Sequence, residues 1–574
     1  MPAVDIYKIL KEKKVLGTQI PVYKSGEIEY ELSVDVANLL YCFSRPKCVV
    51  KPEQTVHVVE VVKQAHKHYV PITVKNGGHS YAGLSTTNEG ILLDLSRMVD
   101  VDLKLDAEGL EPPEDAEGPT VTMQGGALWA HVYRQLVINK CDGWVVNGGR
   151  CPTVGVSGFV LGGGLGPFTR RFGMGCDSLL EATLVTGNGK EVTVRAKDDP
   201  SSDEGKLFWA LRGAGANNFG VVLSMKVALH KLQEESVVAG RFNWYPGVDT
   251  TERMAAFRQV MHDFYTTEWD HGLTIDSSWL CNMKERNGEL GVRFLTYYDG
   301  NRDAFRKEVD RLLASSASEE NVDNEADVAV AKAEMKKQLT ENLKRRSIDE
   351  HSARFLHETL ISQWSEETLK ARPANKSYTV YASFVFTKHD EQGSNYAKIT
   401  ECITKHMDRF RAQFVGEVAL LQVTFIHTGG KASEIGREPG PDATAFPWRD
   451  GRYIAYIMIQ WDEKWLVREM QDFCRDFKQD LAEFSIGKKA GFLNFPDREV
   501  CVSEEDRHEA YYGPNSEEVR QIKNKWDEGK IFHRGCLAWA ADLRPPGVLA
   551  IGNGGHVSSN FYLALVSDSF DCFV

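Results

Sequence analysis

A glycine-rich turn carrying a single histidine, Lys75-Asn76-Gly77-Gly78-His79-Ser80-Tyr81-Ala82-Gly83, constrains this chain more than any other stretch. It follows the apolar run Val70 to Val74, which reads as a strand. A Gly-Gly turn at a strand end exposes successive backbone N–H groups, and such groups can cradle a diphosphate. A second stretch, Arg150-Cys151-Pro152-Thr153-Val154-Gly155-Val156, places one cysteine ahead of the glycine run Gly162-Gly163-Gly164. A histidine and a cysteine held near such a turn are nucleophiles able to bond to a cofactor ring.

The chain has 574 residues, too many for one core. Two domains of roughly 200–300 residues each are expected. Hydrophobic residues make up 42% of the sequence, enough for large cores. The net charge of −13 is spread along the chain and repels polyanions, which argues against nucleic acid as a partner. No window approaches about 18 uncharged apolar residues, so no membrane partner is expected. The start, Met1 to Lys8, has no apolar stretch of leader length, and charged residues follow at Lys11 to Lys14. A cytoplasmic location is therefore expected, and a secreted one if residues are missing ahead of Met1. The 11 cysteines are scattered without CxxC or zinc-finger spacing, so no metal is expected. Cys42 and Cys48 are close enough in sequence to close a small disulfide loop.

Pro52 to His68 reads as a helix, with Val56, Val59, Val62 and Ala65 on one face. Short strands are expected at Ile72 to Lys75, Gly90 to Leu95 and Val121 to Met123, and a helix at Ala127 to Asn139. Leu180 to Val194 reads as a hairpin turning at Gly187-Asn188-Gly189. The stretch 106–119 is acidic, contains proline and reads as a loop. A second glycine loop, Gly213 to Gly220, leads into the strand Val221 to Leu223. From about residue 236 the character changes. Strand-like runs at Thr274 to Leu280, Val292 to Tyr298, Tyr378 to Phe386, Leu420 to Ile426 and Tyr453 to Trp461 alternate with long amphipathic helices. That pattern predicts a broad antiparallel sheet with helices on one face. Ser315 to Arg346, rich in Ala, Glu and Lys, reads as a solvated helix or flexible insertion.

These motifs, in this order, resemble the FAD-linked oxidases of the vanillyl-alcohol oxidase (PCMH-type FAD-binding) superfamily, and within it the berberine-bridge-enzyme-like branch. The resemblance runs from about Ser44 to Val227 and resumes from about Gly491 to Phe532. It rests on Gly77-Gly78-His79-Ser80, Cys151 to Val156, Gly162 to Gly164, Phe208-Trp209-Ala210-Leu211-Arg212-Gly213 and Asn218-Phe219-Gly220-Val221-Val222. Later motifs are Leu493-Asn494-Phe495 and Tyr512-Gly513-Pro514-Asn515. His427-Thr428-Gly429-Gly430 and Phe446-Pro447-Trp448-Arg449 resemble the family's central motifs more weakly. The resemblance implies an α+β, two-domain protein. An FAD-binding domain would span 1–235 (core 44–230), a substrate domain with a large antiparallel sheet covered by helices 236–484, and a segment returning to the FAD domain 485–535. The tail 536–574 is atypical of the family and receives no role.

The resemblance also assigns residues. His79 matches the position bonded to the flavin 8α carbon, and Cys151 the position bonded to C6, which implies bicovalent FAD. Lys75, Asn76, Gly77, Gly78, Ser80 and Tyr81 fall in the diphosphate turn. Thr153, Val154, Gly155, Val156, Gly158, Gly162, Gly163, Gly164, Asn218, Gly220, Val222 and Asn494 would line the cofactor. Valine at 154 resembles a gate that admits dioxygen to the ring, which favours an oxidase. The base is the departure. Where relatives place a tyrosine after asparagine, this chain has Phe495, which takes no proton. A general base must reach the substrate hydroxyl, and the candidates that remain are Tyr456, Tyr453 and His427. The resulting expectation is an oxidase taking a hydride from a small alcohol, phenolic or natural-product intermediate and giving hydrogen peroxide, with a small-molecule substrate and dioxygen as partners and a monomeric chain. The alternatives are an oligosaccharide or sugar oxidase, or a flavin-binding protein without turnover.

Overall fold

The computed structural model describes residues 4–105, 118–215, 218–285, 288–315, 325–360, 376–387, 395–436, 443–497 and 504–532. The tail expectation for 536–574 and nearly all of the 106–119 loop lie outside these residues. Three principal sheets carry the described fold.

The first sheet holds Val22–Tyr23, Cys48–Val50, Ile91–Asp94 and Ile72–Lys75 in that order, the last three parallel. The helix Thr55–His68 covers it. Its buried positions are Val58, Val61, Val62 and Ala65, while Val56 and Val59 are only half-buried. The stripe is thus rotated from the predicted one but keeps the i, i+3, i+4, i+7 spacing of an amphipathic helix. Each fully buried valine contributes about 1.5–3 kcal/mol. The helix stops at Tyr69, which takes a left-handed φ of 52°. Cys42 and Cys48, which the spacing left able to pair, are both free thiols.

The second sheet runs Glu191–Arg195, Leu179–Thr186, Gly220–Lys231, Thr120–Gln124 and Val101–Lys104, with Trp144–Val146 also paired to Gly220–Lys231. All its pairs are antiparallel. The C-terminal segment packs back against these two sheets. The Ile72 N–H donates to the Ile531 carbonyl (2.7 Å), the Gly187 N–H to the Trp526 carbonyl (2.8 Å), and Asn218 Nδ2 to Tyr512 Oη (3.0 Å).

The third sheet has seven antiparallel strands in the order Ser347–His351, Ser236–Trp244, Gly291–Tyr298, Leu273–Asn282, Ala419–His427, Gly451–Trp461 and Tyr378–Thr387. One face is covered by Thr251–Thr266, Glu325–Arg346, Asn395–Gln413 and Val467–Ala482, with Trp279, Phe257, Phe425 and Phe473 in the core between. The helix Glu325–Arg346 is part of that core through Met335, Leu339 and Leu343, so the reading of this stretch as merely solvated is corrected for its described part. One apolar residue per turn sufficed to dock an otherwise charged helix. The other face of the sheet looks towards the glycine-rich turn.

Two buried arginines stitch the sheet to the N-terminal half. Arg170 donates through Nε to the Leu273 carbonyl (2.8 Å), through Nη1 to Thr428 O (2.8 Å) and through Nη2 to Trp269 O (2.8 Å). Arg449 grips Asp177 with both nitrogens, at 2.7 and 2.9 Å. A forked guanidinium fixes orientation as well as distance. Between the two halves a gap remains.

Candidate functional site

That gap is a cavity of about 360 Å³. One wall is loop backbone from the N-terminal half: Asn76, Gly77, Gly78, His79, Ser80 and Tyr81, then Cys151, Val154, Gly155 and Gly158, with Gly220 and Val222 behind. The other wall is the uncovered face of the seven-stranded sheet: Asp276, Ser278, Arg293, Leu295, Tyr381, Gln422, Thr424, Tyr456, Met458 and Gln460. Phe492, Asn494 and Phe495 close one end.

The loop wall is shaped by steric demands that only glycine meets. A Cβ on Gly77 would stand 2.7 Å from both the Gly155 nitrogen and the Thr153 carbonyl oxygen, so the two loops touch backbone to backbone. Gly78 has φ +72°, a conformation open to glycine at little cost. Asn76 ties the loops together, its Nδ2 donating to Gly125 O (2.5 Å) and Ser157 Oγ (2.9 Å). Its Oδ1 is buried without a partner. Gly158 faces open space, with nothing within 4 Å of where a Cβ would stand.

His79 and Cys151 come together here through a third residue. Thr153 Oγ1 lies 2.9 Å from His79 Nε2 and 3.3 Å from Cys151 Sγ. Surrounding protein desolvates the imidazole and pushes its pKa down to about 4, so His79 is neutral at pH 7 and keeps a nitrogen lone pair. Arg150 is buried beside Cys151. Its Nε sits 2.6 Å from Asp276 Oδ2, its Nη1 donates to Leu165 O (2.7 Å), and its guanidinium lies over the Tyr297 ring at 5.5 Å. Burial raises the pKa of Asp276, against the pull of Arg150 and of the His427 N–H that donates to Oδ1 at 2.9 Å.

The remaining predicted cofactor residues divide by depth. Lys75 turns its amine away, onto the carbonyls of Ser33 (2.6 Å) and Asp35 (3.2 Å), and burial lowers its pKa. Val156 is buried in the core behind the loop. Gly162, Gly163 and Gly164 form a tight layer beneath the wall and do not line the cavity. A Cβ on each would meet Asn494 Oδ1 at 2.0 Å, Met174 Cε at 2.8 Å and Phe159 Cε1 at 2.5 Å respectively, so close packing explains this run. Asn218 is buried, donating to Ala214 O (2.7 Å) as well as to Tyr512.

The three predicted acid–base candidates separate cleanly. Tyr456 lines the cavity, packed against Phe495 (4.7 Å) and Tyr381 (5.4 Å). Tyr453 and His427 do not line it, which corrects their selection. Both point to the helix side of the sheet, their rings stacked at 4.8 Å, with Tyr265 and Phe425 packed against Tyr453. Burial raises the Tyr453 pKa and holds His427 well below its ordinary value. Successive strand residues face opposite sides, so an odd position on Gly451–Trp461 cannot share a face with Tyr456. Sequence reasoning missed Tyr381, Gln422, Thr424, Gln460, Arg150 and Asp276. Alternation along each strand was the available signal. On Gly451–Trp461, Ala455, Ile457 and Ile459 mark the core face, leaving Tyr456, Met458 and Gln460 for the other.

The glycine contacts, the orphaned Asn76 oxygen and the neutral imidazole beside a thiol fit a dinucleotide, which the loop wall would hold. They define the class as a flavin-binding protein. Residues 46–195 match the family model described as an FAD binding domain, and residues 491–534 the one described as berberine and berberine like. These two stretches carry the FAD-binding and berberine-like signatures of the FAD-linked oxidoreductases. An FAD-linked oxidoreductase of Aspergillus terreus is 35% identical over 218 residues, 38% of this chain and 40% of that protein. The matched stretch thus spans well under half of that relative. Two solved structures share the fold. They are berberine bridge enzyme from Eschscholzia californica (17% identity, TM-score 0.70, 93% of this chain and 98% of that one) and a chitooligosaccharide oxidase (18%, 0.66, 91% and 97%).

Proposed function

We propose that this protein is an FAD-dependent oxidase that carries its flavin on His79 and Cys151 and removes a hydride from a small organic substrate seated against the sheet. The observation that carries the reading is the cavity's two faces: nucleophilic side chains on a glycine-backed wall, and a polar and aromatic wall opposite. When bound, FAD supplies the hydride acceptor and passes electrons to dioxygen, giving hydrogen peroxide. Gly77, Gly78 and Asn76 would hold the diphosphate end. Val154 lines the cavity, where it would admit dioxygen to the ring. Tyr456 takes the substrate hydroxyl proton, and Phe495 and Tyr381 fix its ring by packing.

The wall favours a planar, ring-bearing substrate. Tyr81 packs on Tyr381 at 4.9 Å, and Tyr381, Tyr456 and Phe495 form a continuous aromatic lining. A phenolic or natural-product alcohol fits it best. A second reading, a sugar oxidase, draws on the hydroxyl and amide row across two strands. There Gln422 Nε2 donates to Thr424 Oγ1 (2.6 Å), and Thr424 lies 2.9 Å from Ser278 Oγ. Incubating the purified protein with panels of phenolic or alkaloid alcohols and of sugars, with peroxide as readout, separates the two. Turnover of sugars alone reverses the ranking, and no flavin bleaching by any substrate under anaerobic conditions rejects the oxidase.

A further inference from the structure

The hydroxyl of Thr153 touches both side chains on which flavin attachment depends. It lies 2.9 Å from His79 Nε2, which comes from the other loop, and 3.3 Å from Cys151 Sγ two residues before it. Thr153 is set by its neighbours. The carbonyl of Cys151 accepts the Val154 N–H (3.2 Å), and the Thr153 carbonyl closes on Gly77. A hydroxyl has one proton to give and lone pairs to accept with, so it can serve two partners at once in only one sense each way.

We propose that Thr153 is the positioning residue for both covalent links, accepting from His79 Nε2–H and donating to Cys151 Sγ. This inference rests on the attachment reading given above. In a neutral imidazole, placing the proton on Nε2 leaves the lone pair on Nδ1, which becomes the bonding atom. Donation to sulfur favours the thiolate, the form of cysteine that attacks. The reverse arrangement puts the proton on Nδ1 and blocks it. One hydroxyl orientation therefore readies both nucleophiles. Each link replaces a ring-system C–H and a side-chain N–H or S–H by one C–N or C–S bond. The two protons and two electrons released per link reduce one dioxygen to one hydrogen peroxide.

The test compares parent, Thr153→Val and Thr153→Ser, with His79→Ala and Cys151→Ala as references. FAD is added to each apoprotein in air. Covalent flavin is read as chromophore retained in acid-precipitated protein, and each link by mass spectrometry of flavin-bearing peptides. Thr153→Val is expected to form both links about tenfold more slowly, the worth of one lost hydrogen bond in the reacting geometry. Thr153→Ser, which keeps the hydroxyl, is expected to stay within about threefold of the parent. Thr153→Ala carries the same reading should the valine variant not fold. A parent that forms both links while Thr153→Val matches its rate overturns the role of Thr153 alone. A parent that releases all its flavin on precipitation overturns the attachment reading as well. A valine variant and a serine variant slowed equally also overturn the inference, because packing and not the hydroxyl would then be responsible.

Discussion

The two walls of the cavity are built in opposite ways. The loop wall comes from two short stretches, 76–81 and 149–158, whose backbones lie against one another. Its chemistry sits within a few residues of sequence. The sheet wall draws on Leu273–Asn282, Gly291–Tyr298, Tyr378–Thr387, Ala419–His427 and Gly451–Trp461, which antiparallel register brings side by side. A backbone cradle suits a cofactor shared across many proteins, because it recognises a diphosphate without side chains. A wall of side chains on rigid strands suits a substrate, because one substitution changes its chemistry without moving the scaffold.

The contrast can be broken most directly at Gly451–Trp461. Tyr456→Phe is expected to lower kcat by about 10²–10⁴ with flavin content unchanged, the usual worth of a general base. Tyr453→Phe, three residues away on the core face, is expected to leave kcat within about threefold, as a residue off the cavity should. Steady-state kinetics of both variants decide the matter, and equal losses would mean that the strand faces do not divide the chemistry as the geometry does.

The seam between the walls is the next target. Arg150→Met leaves Asp276 buried opposite no cation, and breaking a buried pair in this way costs about 3–5 kcal/mol. Denaturant unfolding should show the loss, larger at pH 8 than at pH 5, where Asp276 can take a proton. A loss independent of pH would show that the unpaired Asp276 carboxylate is not its source. Within the loop wall, Gly77→Ala forces apart two touching backbones, an overpacking cost of about 1–3 kcal/mol. Its measure is the ratio of flavin to protein absorbance after purification, which should fall while the sheet wall's core is undisturbed.

The smallest effect is acid sensitivity. His79 and His230 both have pKa values pushed down to about 4 by burial, from an ordinary 6.5. Unfolded, each binds a proton below 6.5; folded, each refuses it until about 4. Their contribution to stability is thus full above 6.5 and lost as pH falls from 6.5 towards 4. His230→Asn should flatten the fall of the thermal midpoint between pH 6.5 and 4.5. An unchanged slope would assign the acid loss to carboxylates instead.

Legibility in the sequence followed the same division. The strands at 72–75, 291–298, 378–387, 419–427 and 451–461 all appear within a residue or two of their periodic runs. Helix Thr55–His68 was legible as an element but not in its buried face, because apolar residues stand at Val56 and Val59 as well as at Val58, Val61 and Val62. The Gly162 to Gly164 run was read as lining and packs beneath the wall instead, because a glycine in sequence does not say what occupies the space it leaves. Tyr453 and His427 were chosen for their chemistry. The two-residue alternation that turns them to the core was written in the same strands and outweighs it.

By itself the sequence determined the local geometry: which stretches extend, where the turn must be glycine, and which histidine and cysteine stand beside it. These depend on residues a few positions apart, and short-range sterics settle them. Only the tertiary structure decided that Arg150 meets Asp276, that Thr153 bridges His79 and Cys151, and that Tyr456 alone of its trio faces the cavity. Those outcomes depend on register and on the packing of one loop or strand against another, and contacts between stretches far apart in sequence leave no periodic mark on either partner.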